Sequence, residues 1–231
     1  MKKRDLEILS SLEKFKCLTR DQIAALHFSA NARPHVSANN VLKRLRRDGY
    51  ITANTDRSFH QYIYFNAPSP IKTDSQKIGH YLMINQGFID MGKYGAVNRY
   101  EIEPSIENAE FIPDVSCNWL DIDWYLEFQN SLYTTKQMYS KLDKYSNYYY
   151  KGEWKAGRLL IIGKINMQFK AEDYPFKVKQ INSIDDLKED ILSMREVRLR
   201  EFKGEAKTVR VRPELAKISS DNSGKLELHI R

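Results

Sequence analysis

Between residues 2 and 15 the apolar side chains Leu6, Ile8, Leu9, Leu12 and Phe15 recur at three- and four-residue spacing with charges between them. That period predicts an amphipathic helix. In LTRDQIAALHF, Thr19 stands three residues before Gln22, the pattern of a capping box, and opens a second helix with Ile23, Ala24 and Leu26 inward. Ser37 is placed to cap a third helix, SANNVLKRLRRDGYI, with Val41, Leu42 and Leu45 on its core side and Gly49 as its left-handed stop. The period then changes to alternation in ITANTDRSFHQYIYFNA, on both sides of a polar tip at 54–58, which predicts a two-stranded hairpin. Three helices and a hairpin are the parts of a winged helix-turn-helix, over residues 1–68.

Pro68, Ser69 and Pro70 punctuate the chain after the hairpin and mark a linker. A second domain, 72–200, opens with a helix at 74–88 bearing Ile78, Tyr81, Leu82, Ile84 and Ile89 as its stripe. Strand-like runs follow at 100–102, 111–115, 122–128, 159–162 and 176–181, with a helix at 134–150 between the third and fourth. A last helix, 184–198, starts at the Ser183 cap with Leu187, Ile191, Leu192 and Met194 inward. The order predicts an α+β protein, the winged helix followed by an α/β domain with a central mixed sheet. Residues 201–231 carry no durable period and read as a tail or peripheral hairpin.

Charge changes this picture at one end. Residues 1–66 hold twelve Lys and Arg against six Asp and Glu, while the whole chain has a formal charge of +7, so nearly all the excess lies in the first segment. That asymmetry favours a polyanionic partner there, double-stranded DNA. In a winged helix the third helix enters the major groove. Ser37, Asn39, Asn40 and Lys43 are then the groove-facing candidates, and Arg44, Arg47, Arg57 and His60 the backbone contacts. No run reaches the roughly 18 apolar residues of a membrane span, and the start has no signal-peptide core, so a cytoplasmic protein without a membrane partner is expected. Cys17 and Cys117 lack metal-site spacing and are expected in the core.

The candidate chemistry is FIPDVS followed by WYLEFQN. Alternation sends Trp124, Leu126 and Phe128 to one face and Tyr125, Glu127 and Gln129 to the other, and pairing with the preceding strand brings Asp114 beside Glu127. Two adjacent carboxylates are a site for a hard divalent cation, Mg2+, that polarises a phosphate and activates water. Pro113-Asp114 with Glu127-Phe128-Gln129 resembles the PD-(D/E)xK nuclease superfamily, with Gln129 where a lysine is usual. A neutral amide supplies no positive charge to the phosphate, and Lys136, near the start of the next helix, is the candidate substitute. That helix interleaves Lys136, Lys141, Lys144 and Lys151 with Tyr139, Tyr145, Tyr148, Tyr149 and Tyr150. Its tyrosines serve either as stacking platforms for bases or as core.

DLEILSSLEKFKCLTRDQIAALHF, VLKRLRRDGYI, YIYF, GHYLMINQGF, FIPD, YLEFQNS and KLDKYSNYY together resemble the replication-relaxation family over roughly residues 1–200. The resemblance implies a protein of plasmids, integrative elements and phages that assists replication or relaxation of DNA. It implies a winged helix joined to a divergent nuclease-like fold, with residues 37–48 as DNA reader and Asp114 with Glu127 as the acidic pair. Three functions stay open: a DNA-binding accessory protein working with replication or relaxase proteins, a Mg2+-dependent endonuclease or nickase using Asp114, Glu127, Gln129 and Lys136, and a regulator acting as a homodimer.

Overall fold

The computed structural model describes residues 1–56, 61–131, 133–163, 169–194 and 196. Residues 57–60, which include Arg57 and His60, the end of the last expected helix and the 201–231 tail lie outside them. Helix α1, Lys3–Phe15, buries Ile8, Leu12 and Phe15 together with Asp5, and leaves Leu6 exposed. Strand β1, Leu18–Thr19, is too short for a sequence period to reveal. Thr19 then caps α2, Arg20–His27: its hydroxyl accepts from the Gln22 amide at 3.2 Å, and the Gln22 side chain accepts from the Thr19 amide at 3.1 Å. Ile23 and Ala24 are buried as the spacing predicts, whereas Leu26 is only half-buried and Gln22 takes an inward place.

The third helix begins a turn earlier than predicted. Helix α3 spans Pro34–Arg47 with Pro34 in its first turn, where a fixed φ and a missing N–H cost nothing. Ser37 is therefore not the cap; its amide donates to the Arg33 carbonyl at 3.0 Å and its hydroxyl accepts from Asn31 at 2.9 Å. Ala38, Leu42 and Leu45 form the buried stripe. Gly49, at φ 78°, ends the helix as expected, with the Tyr50 amide reaching back to the Leu45 carbonyl at 3.0 Å. Strands β2, Ile51–Asn54, and β3, Ile63–Asn66, pair antiparallel, and β1 adds to the other edge of β3 in the order β1-β3-β2.

Helix α4, Ile78–Gly92, starts and ends four residues later than its period suggested, and packs Ile78, Tyr81, Ile84, Asn85, Gly87 and Met91 inward. The sheet that follows has the order β4-β5-β6-β7-β8: β4 Val97–Ile102, β5 Val115–Trp119, β6 Ile122–Gln129, β7 Arg158–Gly163 and β8 Lys177–Ile181. Strand β5 pairs antiparallel with both β4 and β6, whereas β6, β7 and β8 run parallel, so the sheet is mixed. Strand β5 starts where 111–115 was expected to end. Pro113 cannot donate to a ladder, and β5 is bonded on both sides, so the strand begins only beyond it.

Between β6 and β7 runs α5, Thr135–Tyr150, capped by Thr134 with Gln137 in a second capping box. It covers one face of the sheet, where Tyr125, Leu159, Ile161 and Val178 pack with Met138, Leu142, Tyr145 and Phe176. Helix α4 lies on the other, with the Trp119 indole donating to the Met91 carbonyl and Gly87 against Phe128. Cover on both faces is what parallel strands require. The molecule is thus α+β, a helical region with a small antiparallel sheet followed by a mixed five-stranded sheet. After β8 the Ser183 cap opens a 3-10 turn, Ile184–Leu187, followed by helix at 188–194. Leu187 and Ile191 are buried, but Leu192 is exposed, against expectation. Residues 1–189 form one compact unit. Cys17 and Cys117 are both free and buried, and among the described residues no helix is long and apolar enough to cross a membrane.

Candidate functional site

Two places concentrate polar chemistry. The first is α3. Its core stripe at 38, 42 and 45 forces the stripe at Val36, Asn40, Lys43 and Arg47 outward, and all four are exposed. On one flank Arg20, Asn39, Lys43, Arg46, Arg47 and Tyr62 line a hollow of about 760 Å³. On the other, Lys2, Lys3, Arg4, Asn40 and Arg44 line a hollow of about 560 Å³ together with Asp5 and Glu7, its cations outnumbering its carboxylates. The helix is a ridge between two basic hollows.

Its side chains differ in how they are held. Arg44 turns inward: its Nη2 donates to Asp5 Oδ1 at 2.6 Å, and Asp5, 1% exposed, also accepts from the Lys2 amide at 2.7 Å. The Arg44 guanidinium holds the Asp5 carboxyl below its usual range. Arg47 reaches only the neighbouring Asp48, at 2.9 Å on the surface. Ser37 is half-buried against Asn31, while Asn39, Asn40 and Lys43 are exposed along α3. Arg20, Arg46, Tyr62 and the exposed Val36 escaped the sequence reading as site residues. Arg46 was visible on the basic face; the other three are joined to it only by the fold.

The second place is the end of the sheet where β5 meets β6. Val115 pairs with Leu126, so Asp114 precedes the strand at the position facing Glu127. Asp114 Oδ1 lies 3.0 Å from His80 Nε2 on α4, and its Oδ2 accepts from the Phe128 amide at 2.7 Å. Burial pushes Asp114 up, but these partners outweigh it and hold the carboxyl below its ordinary value. His80 is raised by its bond to Asp114. Glu127, 1% exposed, accepts from Lys141 Nζ at 2.6 Å through Oε2 and from the Tyr145 hydroxyl at 2.5 Å through Oε1. Burial raises Glu127 to about 7. Lys141, although buried, is held above its ordinary value by the Glu127 carboxylate.

Gln129 is buried too. Its Oε1 accepts from Gln180 Nε2 at 3.0 Å, and neither its own Nε2 nor Gln180 Oε1 has a partner among the described residues. Lys136 is exposed on the first turn of α5. The lysine brought to Glu127 is Lys141, five residues on, and Tyr145 follows it at i+4 on the same helix face. The capping box at Thr134 sets this phase, so the signal for Lys141 lay in the helix start rather than in its distance from Glu127. Of the helix tyrosines, Tyr145 and Tyr148 are core while Tyr139 and Tyr150 are exposed.

A divalent cation such as Mg2+ needs about six oxygens, several from carboxylate or carbonyl groups. Asp114 and Glu127 supply only two carboxylates, one of them in direct contact with the Lys141 ammonium at 2.6 Å, and the Gln129 carbonyl accepts from Gln180. Among the described residues no group of three or more His, Cys, Asp and Glu is placed to hold a metal ion. As arranged, this donor set does not fit the cation.

Residues 9–161 match the family model described as replication-relaxation. No curated protein and no solved structure matches the chain. The family match spans well over half of the sequence and takes in both α3 and the Asp114–Glu127 pair; the protein belongs to the replication-relaxation family.

Proposed function

We propose that the protein is a DNA-binding accessory factor in replication or relaxation of a mobile element's DNA, reading duplex DNA with α3 as the recognition helix of a winged helix. The observation that carries this reading is the α3 ridge between two basic hollows. A helix with its side chains is about 10–12 Å across, and the major groove is about 12 Å wide with a phosphate backbone on each side. A ridge flanked by cations fits that section. Asn39, Asn40 and Lys43 face base edges, with Val36 suited to a thymine methyl. Arg20, Arg46 and Arg47 reach one backbone, Lys2, Lys3 and Arg4 the other.

Fluorescence anisotropy with a duplex from the native locus, titrated with salt, tests this. Log affinity should fall linearly with log salt; Arg46→Ala should weaken binding and lower the slope by about one, and Lys43→Ala should weaken binding and narrow the preference for the native sequence over an unrelated duplex. Binding insensitive to salt, or unchanged in both variants, would remove α3 as the reader.

A further inference from the structure

The second polar site already places a positive charge where a cation would bind. Glu127 is nine-tenths buried and more, and one end of its carboxylate faces Lys141 Nζ at 2.6 Å, the other the Tyr145 hydroxyl. Asp114 faces His80 and the Phe128 amide. Each carboxylate thus has a basic side chain and a neutral donor. Two residues one turn apart on α5 are committed to one carboxylate, and the ammonium lies 5.3 Å from the centre of the Tyr133 ring as well. A buried carboxylate must be paired or neutralised, and here the chain itself supplies the pairing.

We infer that the Lys141 ammonium takes the place of a divalent cation beside Glu127, so that the protein keeps the Asp114–Glu127 pair without metal and becomes a metal binder only when Lys141 is removed. With Lys141 bound to Glu127 Oε2, an arriving dication would meet a positive charge in direct contact with its own ligand. With the ammonium gone, the buried Glu127 carboxyl must take up either a proton or a cation, and a dication shared with Asp114 competes with the proton for it. The inference is independent of DNA reading by α3 and stands or falls separately.

The test is calorimetric titration of the full chain with MnCl2, alongside thermal melts with and without Mn2+. Wild type should show no saturable binding below about 1 mM and no change in Tm. Lys141→Ala should bind at least tenfold more tightly than wild type, with Tm raised by about 5 °C at saturating metal. Asp114→Asn added to Lys141→Ala should abolish that gain, placing the ion at the pair. If Lys141→Ala does not fold, Lys141→Gln retains part of the stem and is read by the same melts. Saturable Mn2+ binding by wild type that is lost in Asp114→Asn would overturn the inference, as would Mg2+-dependent nicking of supercoiled plasmid by wild type. So would folded Lys141→Ala and Lys141→Gln that gain no affinity.

Discussion

Arg44 and Arg46 stand two residues apart in an arginine-rich stretch of one helix, and their surroundings divide them. Arg44 neutralises Asp5, a carboxylate 1% exposed on α1, so it joins α3 to α1. Arg46 lines the open hollow beside Arg20 and Tyr62. Arg44→Ala leaves a buried carboxylate with only the Lys2 amide, and breaking such a pair is costlier than the pair is stabilising. It should lower Tm at neutral pH by about 3 °C or more, while Arg46→Ala leaves Tm nearly unchanged and weakens DNA binding. The pH dependence carries a sign. Asp5 is depressed in the fold, so its contribution is present above the unfolded carboxylate value, about 3.9, and is lost as pH falls through the lower folded value. The Tm gap between wild type and Arg44→Ala should therefore close in acid; a gap that persists below pH 3 would show that Arg44 acts by packing. Nothing in the local sequence separates these arginines, because the deciding group lies 39 residues away.

At the scale of elements, what was legible is what short-range chemistry decides. Capping boxes at Thr19 and Thr134 form as spaced, and the Gly49 stop holds its left-handed turn. Alternation along β6 sends Phe128 toward α4 and Tyr125 and Glu127 toward α5. The failures came where an element's limits depend on a partner: β5 beginning after Pro113, α3 beginning at Pro34 rather than Ser37, and β1 existing only because β3 pairs with it. Helix α4 shows how closely elements meet. A Cβ on Gly87 would stand 2.5 Å from two atoms of the Phe128 ring, which is itself buried in β6. Gly87→Ala must therefore push α4 off the sheet or turn the ring, and overpacking of this kind costs about 1–3 kcal/mol. Gly92, in the same helix with open space around it, should accept alanine without loss. Urea denaturation of both variants checks the contrast, and equal stabilities would mean that Phe128 yields freely.

Across the whole molecule, the proline-marked segment at 68–70 divides the sequence, yet α4 crosses back to the helical region. The Asn85 side chain, 1% exposed, donates to the carbonyls of Phe15 at 3.1 Å and Cys17 at 2.7 Å, in the turn between α1 and β1. The Gln22 amide donates to the Leu82 carbonyl at 2.8 Å, and Phe88 packs between Phe15 and Tyr100, with ring centres 5.1 and 4.9 Å away. Both buried amides read as ordinary polar positions in an amphipathic period, which is why the sequence could not show them as joints. Their consequence is mechanical: the helical region that contains α3 is tied through α4 to the sheet that carries the Asp114–Glu127 pair, so the two regions should melt together. Calorimetry of the full chain should give one cooperative transition for both regions. Asn85→Ala takes the Asn85 donor from the Cys17 carbonyl, at about 1–3 kcal/mol, while the Phe15 carbonyl keeps the Cys17 amide at 2.7 Å, and it should lower that transition without splitting it. Two transitions in wild type would mean that the joint is too weak to couple the regions; an unchanged transition in Asn85→Ala would mean that its hydrogen bonds to Phe15 and Cys17 are not what couples them.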